Sequence, residues 1–139
     1  MRTRLRKLHT GGRAFVWKAD IRHVRGERDC HRCIRVRVWG AGKNSRALQA
    51  DLLSKSWGSP WGACAADGAY PQPEDVRTLI EYALAHGWEP DAVGGTHLLT
   101  EREHTAFELP EFLLTDRLRV PSAPDPTERV IRAFEAANG

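Results

Sequence analysis

Residues 34–39 have the sequence Ile34-Arg-Val-Arg-Val-Trp39, in which apolar side chains alternate with charged or aromatic ones over six positions. Successive side chains of a β-strand point to opposite faces, so this period of two predicts a strand. Its apolar face carries Ile34, Val36 and Val38, and its opposite face carries Arg35, Arg37 and Trp39.

Two other stretches have the same period. In Arg13 to Arg22 the apolar face consists of Phe15, Trp17, Ala19 and Ile21, and the other face of Val16, Lys18, Asp20 and Arg22. In Ala47 to Lys55 the apolar face consists of Leu48, Ala50 and Leu52, and the other face of Gln49, Asp51 and Lys55. The three runs predict an N-terminal three-stranded antiparallel meander.

The loop before the third strand determines its register. A three-residue loop, Gly42-Lys43-Asn44, brings the two apolar faces together, with Asn44 in the left-handed conformation. A slip of one residue would move every apolar side chain into water. We therefore expect Arg35 to lie directly opposite Asp51 on the outer face.

Two segments of the second half have helical periodicity. Pro73 suits the first turn of a helix and Gly87, followed by Trp88, suits its end. The apolar positions between them are Val76, Leu79, Ile80, Ala83 and Leu84. A C-terminal helix is predicted from the capping sequence Asp125-Pro-Thr-Glu128 and from an apolar stripe of Val130, Ile131 and Phe134. A short strand is expected over Thr96 to Thr100.

These elements predict an α+β fold: a meander with one helix packed on its apolar face, further short strands and a C-terminal helix. A chain of 139 residues, 41% apolar and 28% charged, fits a single soluble globular domain and not a disordered or fibrous class. Residues 1–12 would form a basic arm and residues 119–125 a linker. Because no apolar run follows the basic arm and none reaches the ~20 residues of a membrane helix, we expect a cytoplasmic protein.

The net charge of +3 is unevenly divided. Residues 1–48 contain fourteen Lys or Arg and three Asp or Glu, whereas residues 49–139 contain seven and fifteen. Such a division either steers an anionic partner to the first half or lets the two halves attract each other.

Two motifs suggest chemistry but are incomplete. Cys30-His-Arg-Cys33 has the spacing of a zinc knuckle, yet a full site would need Cys64 and a histidine to converge on it. We expect free cysteines at the end of a hairpin and a protein that folds without metal. Residues 40–45 resemble a phosphate-binding loop, but a strand follows where a helix is required.

A third group, His97, Glu101 and His104, lies within eight residues, and the turn signals around it favour surface polar residues. No nucleophile can be matched with a base from the sequence. We therefore assign no catalytic residues and expect no cofactor.

The outward face of the meander is the leading candidate for binding. It combines positive charge with an aromatic ring, a mixture that binds single-stranded nucleic acid through phosphate attraction and base stacking. The candidate nucleic-acid-binding residues are Lys18, Arg22, Arg35, Arg37 and Trp39. The alternative is a solvated basic face on which Asp51 neutralises Arg35.

A second candidate surface is the loop of residues 56–72, which contains Trp57, Trp61 and Tyr70. Large aromatic side chains anchor protein interfaces, and their alternative role is to cover the edge of the core. The sequence does not distinguish a partner protein from nucleic acid at this loop.

The segment from Pro73 to Pro90, followed by Gly94-Gly95, resembles the helix and Gly-Trp turn of small uncharacterised bacterial α+β proteins. The resemblance implies the fold and transfers no site residue. Some small bacterial proteins of this build are toxin antidotes. This motivates the alternative function, an immunity-like protein that binds a partner through the aromatic loop and the acidic C-terminal half.

Overall fold

The computed structural model describes residues 5–25, 30–55, 69–124 and 126–138. Within these ranges the fold is mixed α+β, as the sequence predicted. The strands are β1 (Arg6–Thr10), β2 (Arg13–Arg25), β3 (Cys30–Trp39), β4 (Ala47–Ser54), β5 (Thr96–Leu99) and β6 (Phe112–Leu114). The helices are α1 (Pro73–Ala85) and α2 (Pro126–Asn138).

The strands form one sheet in the order β1-β2-β3-β4-β5, with β6 also paired to β4. β1 is antiparallel to β2 and places Lys7 opposite Val16 and Leu8 opposite Phe15. β5 runs parallel to β4, whereas β6 is antiparallel to it. The short strand expected after residue 95 is confirmed, and the meander has an additional edge strand, β1, in a segment we had expected to be a basic arm.

The chain divides into two compact units, and neither is continuous in sequence. Unit 1 comprises Met1–Asp20, Arg35–Ala50 and Pro71–Leu99. Unit 2 comprises Ile21–Ile34, Asp51–Tyr70 and Thr100–Gly139. Strands β2, β3 and β4 contribute residues to both units.

The core of unit 1 lies between the sheet and α1. The helix buries Val76, Leu79, Ile80 and Ala83, whereas Leu84 is exposed. Pro73 occupies the first turn, and the backbone N–H of Gln72 donates to the carboxylate of Asp75 at 2.8 Å. Gly87 ends the helix with a φ of 100°, which permits the Trp88 N–H to donate to the Ala83 carbonyl at 2.9 Å. The predicted helix is confirmed.

Unit 2 has its own core, which includes Leu52, Leu53, Phe112, Leu114 and Val130. The predicted C-terminal helix, α2, is present and buries Val130 against this core. Its expected capping residue, Asp125, and the side chain of Phe134 lie outside the described parts. In the segment expected to be a linker, the N–H of Val120 donates to the Asp116 carbonyl at 2.8 Å.

Burial along β2 and β3 does not follow one alternation throughout. Phe15, Trp17 and Ala19 are buried as predicted, but Ile21 is 51% exposed and the next buried residue is Val24. In β3, Val36 and Val38 are buried as expected, yet so are His31 and Cys33 on the other set of alternate positions. The placement of Ile21 with the buried residues of β2 was therefore wrong. Ile21 is the first residue of β2 that belongs to unit 2, where Val24 is buried instead.

The loop before β4 also differs from the expectation. Gly42 has a φ of 85°, and no described residue other than glycine has a positive φ, so the left-handed residue is Gly42 and not Asn44. Glycine has no Cβ and adopts this conformation without strain. The Ser45 N–H donates to the Gly42 carbonyl at 3.0 Å and closes the turn.

Asp51 is not on a solvated face, because it is 3% exposed and its carboxylate lies 3.7 Å from Nε of Arg119. The expected pairing of Arg35 with Asp51 across the hairpin stays a prediction.

Among the described residues, neither helix has the length and apolar character needed to cross a membrane.

Candidate nucleic-acid interface

One side of the unit 1 sheet carries basic side chains and faces away from α1. The opposite side is identified by Thr10, whose hydroxyl donates to Glu81 of α1 at 2.9 Å, and by Leu8, which is buried opposite Phe15. Alternate residues of the same strands therefore point away from the helix. We call this set the outer face of unit 1, and it comprises Lys7, His9, Ala14, Val16, Lys18, Asp20, Arg35, Arg37 and Trp39.

Arg37 is held by a buried amide. Its Nε donates to Oε1 of Gln49 at 3.0 Å, and Gln49 is only 6% exposed. A guanidinium group has five N–H donors in a rigid fork, so this hydrogen bond orients the group while its terminal nitrogens can still contact a ligand. Gln49 of β4 is thus a positioning residue for the outer face.

One ion pair of the outer face joins Lys18 to Asp20. Lys18 Nζ lies 3.8 Å from Oδ2 of Asp20, and both side chains are partly exposed. Such surface ion pairs contribute little free energy. Lys7 is exposed and makes no hydrogen bond or ion pair that involves its side chain with the described residues.

Trp39 lies half-buried at the end of β3, where the backbone is tightly constrained. A Cβ on the next residue, Gly40, would lie 2.8 Å from Cβ of Pro90 and 3.0 Å from the ring of Phe15. The Gly40 carbonyl also accepts a hydrogen bond from Arg13 at 2.9 Å. These contacts fix the strand end that carries the Trp39 ring.

Arg13 also connects the start of β2 to the loop that follows α1. Its guanidinium makes two hydrogen bonds to the carboxylate of Asp91, one of them 3.1 Å long. These hydrogen bonds hold the pKa of Asp91 below its ordinary value and raise the pKa of Arg13. The ion pair therefore joins the start of β2 to the Asp91 loop.

Of the five residues predicted from sequence to bind nucleic acid, four belong to the outer face of unit 1. Lys18, Arg35, Arg37 and Trp39 are half-buried. Arg22 is exposed but belongs to unit 2, so it is not part of this set.

Sequence reasoning missed Lys7 and His9. Their position on the outer face depends on the pairing of β1 with β2, which sets Lys7 opposite Val16 and His9 opposite Ala14. The only local signal was the alternation of Arg6, Leu8 and Thr10 with these two residues, which is too short to distinguish from a basic arm.

The aromatic loop is described only at its end. Trp57 and Trp61 lie outside the described residues, and Tyr70 is half-buried. The neighbouring Ala69 carbonyl accepts a hydrogen bond from Arg32 Nε at 2.7 Å, which ties this end of the loop to β3. Partner binding through the loop therefore stays a prediction.

The cysteine pair lies in β3 and not in a turn. Cys30 is half-buried and Cys33 is buried, and neither forms a disulfide with a described residue. Residues three apart in a strand point to opposite faces, so the two thiols do not share one tetrahedral ion as in a zinc knuckle. Cys64 lies outside the described ranges, and within those ranges no three metal-binding side chains converge.

The residues of the histidine group belong to different units. His97 belongs to β5 in unit 1, whereas Glu101 and His104 belong to unit 2. The expectation of surface polar residues was wrong for Glu101, which is 6% exposed and whose Oε2 lies 3.2 Å from Nη1 of Arg129. This ion pair and hydrogen bonds from the backbone offset the free-energy cost of burying the Glu101 carboxylate.

No family model, curated protein or solved structure matches this chain. No function is therefore transferred from a relative, and the functional proposal rests on the side chains of the outer face.

Proposed function

We propose that the protein is a binding module that takes nucleic acid on the outer face of unit 1. The proposal is supported by one arrangement: cations and a partly exposed tryptophan on neighbouring strands, on the side of the sheet that α1 does not cover. Phosphates and bases are the complementary groups, because cations attract the former and an aromatic ring stacks on the latter.

The charge of the two units favours the same face. Unit 1 contains eleven Lys or Arg and six Asp or Glu, a net charge of +5, whereas unit 2 contains ten and twelve, a net charge of −2. A positive potential on the unit that carries the outer face steers anionic polymers toward it. Binding then releases counterions from the nucleic acid, so affinity falls as salt rises.

The proposal is tested by titrating fluorescently labelled oligonucleotides at several salt concentrations and measuring anisotropy. The double variant Arg35→Ala/Arg37→Ala removes two expected phosphate contacts. It should weaken binding across sequences and reduce the slope of log affinity against log salt by about two.

The matched control is Arg102→Ala/Arg132→Ala, which removes two exposed cations from unit 2 and lowers the net charge equally. It should leave the salt slope within error of the unmodified protein. Absence of binding to single-stranded and duplex oligonucleotides at low salt would refute the proposal. The basic face would then be better explained as a docking surface for an acidic protein.

A further inference from the structure

We infer that the nucleic acid bound by this face is single-stranded, and that one of its unpaired bases stacks on Trp39. The inference rests on the proposed function and specifies its ligand. Among the described residues, the outer face is built from strands alone, and Trp39 is its only Phe, Tyr or Trp side chain.

A duplex and a single strand of nucleic acid differ in how they can contact the face of a β-sheet. Sequence in a duplex is reached by a helix or a two-stranded ribbon that enters a groove. The outer face instead presents side chains along β1, β2 and β3, which lie side by side. A single strand can lie across such a surface with its bases turned toward the protein.

Trp39 is suited to receive a base. Trp39 is half-buried, and its ring makes no aromatic contact with any other described residue. An unpaired base has a free face to stack on this ring, whereas a base inside a duplex is already stacked on both sides. The close packing at Gly40 fixes the backbone of the strand end that carries this side chain.

Cations lie near this stacking position, at distances that match the spacing of nucleotides in one nucleic-acid strand. Arg37 and Arg35 are two and four residues before Trp39 on the same side of β3, which corresponds to about 7 and about 13 Å. Stacked bases rise by about 3.4 Å each, so the two arginines reach phosphates within a few nucleotides of the base on Trp39. Lys7 extends the row two strands away, at about 10 Å from β3.

The test compares one labelled sequence as single-stranded DNA, as single-stranded RNA and as a duplex. We expect the unmodified protein to bind at least one of the single strands more tightly than the duplex. Trp39→Ala should weaken single-strand binding by about 5- to 150-fold, because a stacked base contributes about 1–3 kcal/mol. Trp39→Phe should recover part of the loss, since Phe keeps a stacking ring.

An abasic strand of the same length provides a test that needs no variant. It keeps every phosphate and lacks the bases, so the unmodified protein should bind it about as weakly as Trp39→Ala binds the normal strand. Trp39→Ala should bind normal and abasic strands equally. Circular dichroism of each variant checks that the fold is kept.

The outcomes separate this inference from the proposed function. Equal affinity for single strand and duplex, or equal affinity for normal and abasic strands, overturns the single-strand inference. The proposed function would then still stand if Arg35→Ala/Arg37→Ala weakened binding. Absence of binding to all the oligonucleotides overturns both.

Discussion

Glu101 and Asp116 hold each other through reciprocal hydrogen bonds from backbone to side chain. The Glu101 N–H donates to Oδ1 of Asp116 at 2.8 Å, and the Asp116 N–H donates to Oε1 of Glu101 at 3.1 Å. Arg129 and Arg119 each contact one of the two carboxylates. This clasp joins the segment after β5 to the segment after β6 within unit 2.

Removal of the Glu101 carboxylate should destabilise the protein. Glu101→Ala leaves the Asp116 N–H without its acceptor and the partly exposed Arg129 without its counter-ion, so we expect a loss of about 1–3 kcal/mol. Glu101→Gln keeps an acceptor oxygen and should cost less. The free energy of unfolding from denaturant titration measures both.

The control for the clasp is Glu103→Ala, since Glu103 is exposed two residues along the same turn. Its free energy of unfolding should lie within about 0.5 kcal/mol of the unmodified protein. Similar losses for Glu101→Ala and Glu103→Ala would contradict the structural role of the clasp.

A second prediction concerns the close approach at Gly40. Gly40→Ala places a methyl group 2.8 Å from Cβ of Pro90 and 3.0 Å from the Phe15 ring, so it should cost about 1–3 kcal/mol of stability through overpacking. Phe15→Leu makes room beside residue 40. The loss caused by Gly40→Ala should therefore be smaller in the Phe15→Leu background, as a double-mutant cycle would measure. Strict additivity would show that the Phe15 contact is not limiting.

The third prediction is a pH dependence at Asp91. The Arg13 hydrogen bonds lower the pKa of this carboxyl in the folded protein, so the ion pair stabilises the fold above the ordinary Asp value of about 3.9. That stabilisation is lost as the pH falls through the lowered pKa. Carbon-detected NMR titration should show the Asp91 pKa rising toward its ordinary value in Arg13→Ala.

Salt provides the control for Asp91. Because its side chain is 75% exposed, high salt should screen the Coulombic part of the interaction and reduce the pKa difference between the two proteins. An Asp91 pKa that is identical in the unmodified protein and in Arg13→Ala would contradict the ion pair.

Local signals account for what the sequence predicted correctly. Helix α1 was found because Pro73, its apolar spacing and Gly87 all lie in one short segment. The strand faces were found for Phe15 to Ala19 for the same reason, since each strand repeats its own pattern. Sequence reasoning therefore identified the α+β class and four residues of the outer face.

Nonlocal packing accounts for what was missed. Val24 and Cys33 are buried although both lie outside the strands predicted from sequence, and both belong to unit 2, which has its own core. Lys7 joined the outer face only through the pairing of β1 with β2. β1 has five residues and only one buried side chain, Leu8, so its periodicity could not predict this pairing.

The fourth prediction tests Gln49 as the residue that positions Arg37. Gln49→Leu keeps the side-chain volume and removes the oxygen that accepts from Arg37 Nε at 3.0 Å. The guanidinium would then have to be ordered on binding, which costs about 0.5–1.5 kcal/mol for a flexible side chain. We expect oligonucleotide affinity to fall by about 2- to 10-fold with an unchanged salt slope, because the number of phosphate contacts is the same.

A cycle with Arg37 separates positioning from a general structural effect. In the Arg37→Ala background, Gln49→Leu should have no further effect on affinity, because the group it positions is absent. A purely structural role would lower affinity equally in both backgrounds. Anisotropy titrations of the four proteins at one salt concentration distinguish positioning from a structural effect, and denaturant unfolding checks the stability of each protein. If Gln49→Leu lowers affinity as much in the Arg37→Ala background as in the unmodified protein, Gln49 does not position Arg37.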